Sequence, residues 1–98
     1  MKLDDVKKLH QKKYRSQFGY YLVEGEHLIL ELFKAKASLP HLGDVTLYVT
    51  QAHENWATQF SDDADLVVLT PKQMTNISDT KTPQGMIARV PLPVAQPV

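Results

Sequence analysis

No cysteine occurs among the 98 residues, which removes disulfides, thiolate zinc sites, iron–sulfur clusters and a cysteine nucleophile together, and fits a reducing, cytoplasmic compartment. Long apolar runs are also missing. Stretches such as Leu66 to Leu69 and Leu28 to Leu30 fall far short of the roughly 20 residues a membrane span needs, so no membrane partner is expected. Glycine is scarce, and neither G-x-G-x-x-G nor a Walker pattern is present, so a nucleotide cofactor loses its usual loop. Asp4 and Asp5 stand where an export signal would need apolar residues. Net charge is lacking too, because eleven Lys and Arg balance eleven Asp and Glu. The length allows one hydrophobic core and one domain.

The balance hides a division. Residues 1–36 hold eight basic side chains against five acids, a net +3, and residues 37–98 carry −3. Such asymmetry directs attention to the first element. Leu3, Val6, Leu9, His10 and Tyr14 share one arc of a helical wheel, and the spacing predicts one helix whose opposite face stacks Lys8, Lys12 and Arg15. Lys7 and Lys13 flank its apolar stripe. This face is either an ordinary solvated surface or a phosphate contact, and charge alone does not decide for the latter.

Farther along, Tyr20 to Val23 reads as a strand closed by Glu24 and Gly25. Leu28, Ile29, Leu32 and Phe33 then follow at helical spacing to about Lys36. Val45 to Val49 predicts a second strand, and Ala52, Trp56 and Phe60 a third helix. Leu66 to Leu69 is continuously apolar, as a strand covered on both faces would be. Thr70, Pro71 and Gln73 carry the signature of a capped helix start ahead of Met74 and Ile77. Met86 to Val90 completes the strands. Residues 91–98, with three prolines, read as a linker, leaving 1–90 as the domain. Alternating strands and helices predict a three-layer α/β/α sandwich with a small mixed sheet.

Catalytic constellations do not assemble. His10, His27, His41 and His53 are scattered without metal-ligand spacing, no G-x-S-x-G elbow surrounds Ser78, and Asp62, Asp63 and Asp65 lack the order of a calcium loop. The polar segment Asp79 to Gly85 is more distinctive. Thr82-Pro83-Gln84-Gly85 suits a type I turn, Asp79 and Thr80 can bond nearby amides, and Lys81 stands between two threonines. That arrangement serves either as a well-made turn or as donors to a phosphate or ribose.

Three blocks carry a resemblance: Lys12-Lys13-Tyr14-Arg15, then Tyr21-Leu22-Val23-Glu24-Gly25-Glu26-His27-Leu28, then Ser78-Asp79-Thr80-Lys81-Thr82-Pro83-Gln84-Gly85-Met86. In this order they resemble the N-terminal substrate-binding domain of SpoU/TrmH-class RNA 2′-O-ribose methyltransferases. The resemblance implies an L30e-like domain holding rRNA or tRNA, joined to a catalytic domain of the same chain that binds S-adenosylmethionine and dimerises. No catalytic residue carries over, so these 98 residues alone are not expected to be an enzyme. Lys7, Lys8, Lys12, Lys13, Arg15, Gly25, Lys81, Thr82 and Gln84 are the expected RNA contacts. Glu24, Asp79, Pro83 and Gly85 are the expected structural positions, with Glu24 paired to Arg15. The chain departs from L30e-like kink-turn binders, which present an asparagine-glutamate pair where Glu24-Gly25-Glu26-His27 stands here. The competing expectation is a scaffolding module that packs on the catalytic domain without touching RNA.

Overall fold

The structure, a computed structural model, describes residues 2–36, 45–62, 64–78 and 85–92. The elements run α1 (Leu3–Lys8), α2 (Lys12–Phe18), β1 (Tyr20–Glu24), α3 (Glu26–Lys36), β2 (Val45–Thr50), α4 (Glu54–Ala57), β3 (Ala64–Leu69), α5 (Pro71–Ile77) and β4 (Met86–Pro91). Four strands form one mixed sheet in the order β1-β4-β2-β3. β4 pairs antiparallel with β1 and β2, while β2 and β3 are parallel and joined by the α4 crossover, as the strand–helix alternation requires.

Period-two alternation of the strands sorts the core into two layers. Val45, Leu47 and Val49 of β2 join Met86, Ala88 and Val90 of β4 against Ile29 of α3 and Ala57 and Phe60. On this side Phe33 stacks on Phe60 with centroids 4.2 Å apart, and Trp56 meets the same ring edge-on at 5.2 Å. The opposite face presents Tyr48 and Ile87 to Val6 of α1, and to Met74 and Ile77 of α5. Helices on both faces of the mixed sheet make the expected three-layer sandwich.

α5 begins as its sequence dictates. Thr70 Oγ1 accepts from the Gln73 amide at 3.1 Å, Gln73 Oε1 accepts from the Thr70 amide at 2.9 Å, and Pro71 fills the first helical position. A reciprocal cap of this kind leaves two terminal amides satisfied without help from the rest of the fold.

Three expectations are corrected. The single first helix is two helices, because Gln11 is extended (φ −99°, ψ 132°) and restarts the chain at Lys12. The stretch from Ala52 to Phe60 is one α-helical turn between two 3₁₀ turns, Gln51–His53 and Thr58–Phe60, which still brings Trp56 and Phe60 together. β3 is an edge strand, and Val68 is 45% exposed. Its apolar run continues the parallel pairing with β2, whereas the strands buried along both faces are the inner ones, β2 and β4.

The start of β1 and the end of β4 lie together. Tyr20 pairs with Pro91, and the Leu92 amide donates to the Gly19 carbonyl at 2.9 Å. Residues 91 and 92 of the expected linker therefore remain attached to the sheet.

Candidate nucleic-acid interface

The basic residues occupy two short helices meeting at a bend. Lys7, Lys8, Lys12 and Lys13 are all exposed. Lys8 lies 3.7 Å from Asp5, an exposed ion pair of small energetic weight. Its ammonium also sits 5.5 Å from the Tyr14 ring centroid, and Lys13 reaches the same ring at 4.9 Å. Tyr14 in turn stacks on Phe18 at 5.9 Å. Two cations gathered on one ring make a surface able to receive a phosphate. Lys7 and Lys8 also border an open groove of about 460 Å³ with Asp4, His10 and Gln11.

Arg15 does something else. Its Nη1 donates to the carbonyl oxygens of Leu9 at 3.1 Å and His10 at 2.9 Å, closing the exposed end of α1 from the first turn of α2. The His10 ring reaches the Ile77 carbonyl at 2.8 Å and so ties the bend to the end of α5. The expected face of Lys8, Lys12 and Arg15 is thereby replaced by lysines around a bend that Arg15 and His10 hold in place. The expected Arg15–Glu24 pair does not form either, since Glu24 Oε2 accepts from Ser78 Oγ at 2.9 Å.

That Ser78–Glu24 bond joins two of the sequence blocks. Gly25, at φ 106°, sends its amide to the Met86 carbonyl at 3.3 Å and is buried. Its N–H is spent inside the fold, so the start of α3 does not offer it to a phosphate. Gly85 explains its own identity in the same region. Its φ is +83°, and a Cβ there would stand 2.6 Å from His53 Cδ2 and 3.1 Å from Thr50 Oγ1. Asp79, Lys81, Thr82, Pro83 and Gln84 lie outside the described residues.

One notable residue escaped the sequence reading. Arg89 interrupts the apolar strand β4, and its guanidinium lies 4.6 Å from the Tyr20 ring centroid with Nη2 donating to Thr46 Oγ1 at 2.9 Å. The Nε of Arg89 is buried without a hydrogen-bond partner. Burial pushes the nearby Tyr48 phenol above its ordinary pKa; the Arg89 charge opposes the rise, and Tyr20 adds to it. The available signal was a lone cation in the run Met86-Ile87-Ala88-Arg89-Val90.

Comparison with known proteins adds identity to this geometry. The chain is 28% identical over 92 residues to the 23S rRNA (guanosine(2553)-2'-O)-methyltransferase RlmP of Bacillus subtilis, matching 94% of this chain and 35% of the relative. A TrmH-family structure from Porphyromonas gingivalis superposes with a TM-score of 0.67 at 28% identity, over 98% of this chain and 36% of the other. The SpoU methyltransferase AviRb from Streptomyces viridochromogenes, solved with AdoMet, gives a TM-score of 0.65 at 18% identity, covering 94% and 35% of the two chains. The chain thus spans about a third of the length of these proteins. A family model, the MRM3-like substrate binding domain, matches residues 2–88, nearly the whole folded unit from α1 into β4. By that match, and with SpoU/TrmH RNA methyltransferases as its relatives, the chain belongs to the MRM3-like substrate-binding domain family.

Proposed function

We propose that this domain holds folded RNA for 2′-O-ribose methylation by a catalytic domain that uses S-adenosylmethionine, reached through the residues after Leu92, in a cytoplasmic, dimeric enzyme. The observation that carries the reading is the family match over residues 2–88, joined to a surface where Lys7, Lys8, Lys12 and Lys13 are exposed. In this reading the lysines supply sequence-independent attraction to phosphates, Tyr14 offers a ring edge, and Arg15 positions the bend. Lys81, Thr82 and Gln84 are proposed as further contacts from the turn before β4. AdoMet supplies the methyl group on the catalytic domain, and the residues of this chain bind and orient the RNA.

The test is filter binding of a folded 23S rRNA fragment, the RNA named for the Bacillus relative, at two salt concentrations. The variant with Lys7, Lys8, Lys12 and Lys13 all changed to Ala is expected to bind more weakly. Its log–log salt slope should shrink by about 0.7 to 0.9 for each phosphate that the lysines no longer neutralise. Equal affinity and slope for the two proteins would transfer the role to scaffolding of the catalytic domain.

A further inference from the structure

The α1/α5 face of the sheet is not covered to its end. Strand register places Leu22, Arg89, Thr46 and Asp65 in one row across β1, β4, β2 and β3, one pair of residues beyond the row in which Ile87 and Tyr48 are buried under the helices. An open cleft of about 670 Å³ lies over this row, lined by Arg89, Thr46, Asp65, Val67, Gln73 and Lys2 among others. That volume falls within the roughly 300–1,000 Å³ typical of small-ligand sites.

The row has an asymmetric chemistry. Arg89 carries several N–H donors, and the Thr46 bond uses one of them. The Thr46 bond and the Tyr20 ring 4.6 Å from the guanidinium carbon anchor the group on the sheet, so its unused donors stay beside the cleft. At the other end Asp65 is exposed and has no ion-pair partner among the described residues. Two strand spacings, about 10 Å of backbone separation, lie between the donor and the acceptor. Thr46 stands midway with a hydroxyl, and Val67 contributes an apolar side chain.

A bare phosphate fits this row poorly, because Asp65 would repel it. A planar heterocycle bearing acceptors on one edge and donors on the next matches both ends. Guanine alone among the four RNA bases offers the O6/N7 acceptor pair that arginine binds as a fork, beside the N1–H and N2–H donors that a carboxylate accepts. We propose that the cleft seats an unstacked guanine of the bound RNA, with Arg89 on its O6/N7 edge and Asp65 on its N1/N2 edge. The inference rests on the RNA-holding reading above. It places the base beside the basic helices, since Lys2 and Leu3 at the start of α1 line the cleft and Tyr20 closely follows α2. RNA is read in this way where single-stranded bases are splayed out onto protein.

The test uses the 98-residue chain and the four ribonucleoside monophosphates at millimolar concentration, followed by amide NMR shifts. GMP is expected to move the Thr46, Asp65 and Arg89 amides and to bind at least about tenfold more tightly than AMP, CMP or UMP. Asp65→Asn, an exposed change that leaves the melting temperature in place, should abolish that preference. Equal responses to all four nucleotides would overturn the proposal. So would an equal displacement of the same amides by inorganic phosphate or acetate, which marks a seat for an anion or an acidic protein side chain. Silence toward GMP in a chain whose rRNA binding depends on the four lysines removes the guanine seat alone. Selective GMP binding without rRNA binding removes the RNA-holding role and keeps the seat.

Discussion

Arg15 Nη1 donates to the His10 carbonyl at 2.9 Å, so the second helix closes the end of the first across the bend that separates them. A cation that reads in sequence as one of a row of phosphate ligands is thus part of the frame that presents the others. Arg15→Ala should lower stability by about 2 kcal/mol in urea unfolding, as loss of a charged donor to two carbonyls implies. Arg15→Lys should restore little, because the lysine side chain is one bond shorter and its ammonium falls short of the point from which Nη1 reaches both carbonyls. Lys12→Ala and Lys13→Ala should stay within about 0.5 kcal/mol of the parent.

Gly19 and Gly85 share a left-handed backbone, with φ of 81° and 83°, but not a neighbourhood. No atom lies within 4 Å of a Cβ built at Gly19, whereas one at Gly85 meets His53 Cδ2 at 2.6 Å. Gly19→Ala should cost about 1 kcal/mol, the conformational penalty alone. Gly85→Ala should cost clearly more, and adding His53→Ala should recover part of the difference. Thermal melts of the three variants decide the matter, and equal losses at the two glycines would contradict the crowding by His53.

Ser78 and Glu24 join sequence segments more than fifty residues apart through one bond of 2.9 Å. A double-mutant cycle with Ser78→Ala and Glu24→Ala should return a coupling of about 1 kcal/mol or somewhat more, the range for a hydrogen bond to a charged group. Additive losses would show that the two residues act independently.

Burial raises the pKa of both Tyr21 and Tyr48 above the ordinary phenol value. Unfolded tyrosine releases its proton near pH 10, so above that pH the unfolded chain binds fewer protons than the native one and stability falls. The contribution is fully present below about pH 10 and is lost as pH climbs toward the folded-state pKa values. Tyr48→Phe should flatten part of that alkaline decline in melting temperature, with little change in the pH dependence near neutrality.

The fold was legible in the sequence where one rule governed a whole element. Thr70, Pro71 and Gln73 announce α5, and the β-branched run from Val45 announces β2. Leu66 to Leu69 misleads because an apolar run records sidedness poorly. β3 keeps its pairing to β2 while its outer edge faces solvent. The bend after α1 was invisible for another reason: neither glycine nor proline marks it, and the bonds that hold it come from Arg15 and from Ile77, far along the chain. The Arg89 cleft required the register of four strands, which no local pattern encodes.

The bond from the Leu92 amide to the Gly19 carbonyl sets a leash length. Six residues, 93–98, follow Leu92, and a fully extended chain of that length reaches at most about 20 Å. The point from which those residues leave the sheet is thus pinned beside the end of α2. On the proposed RNA-holding role, a domain joined past Leu92 would meet the bound RNA at high local concentration, and a longer connection would dilute it.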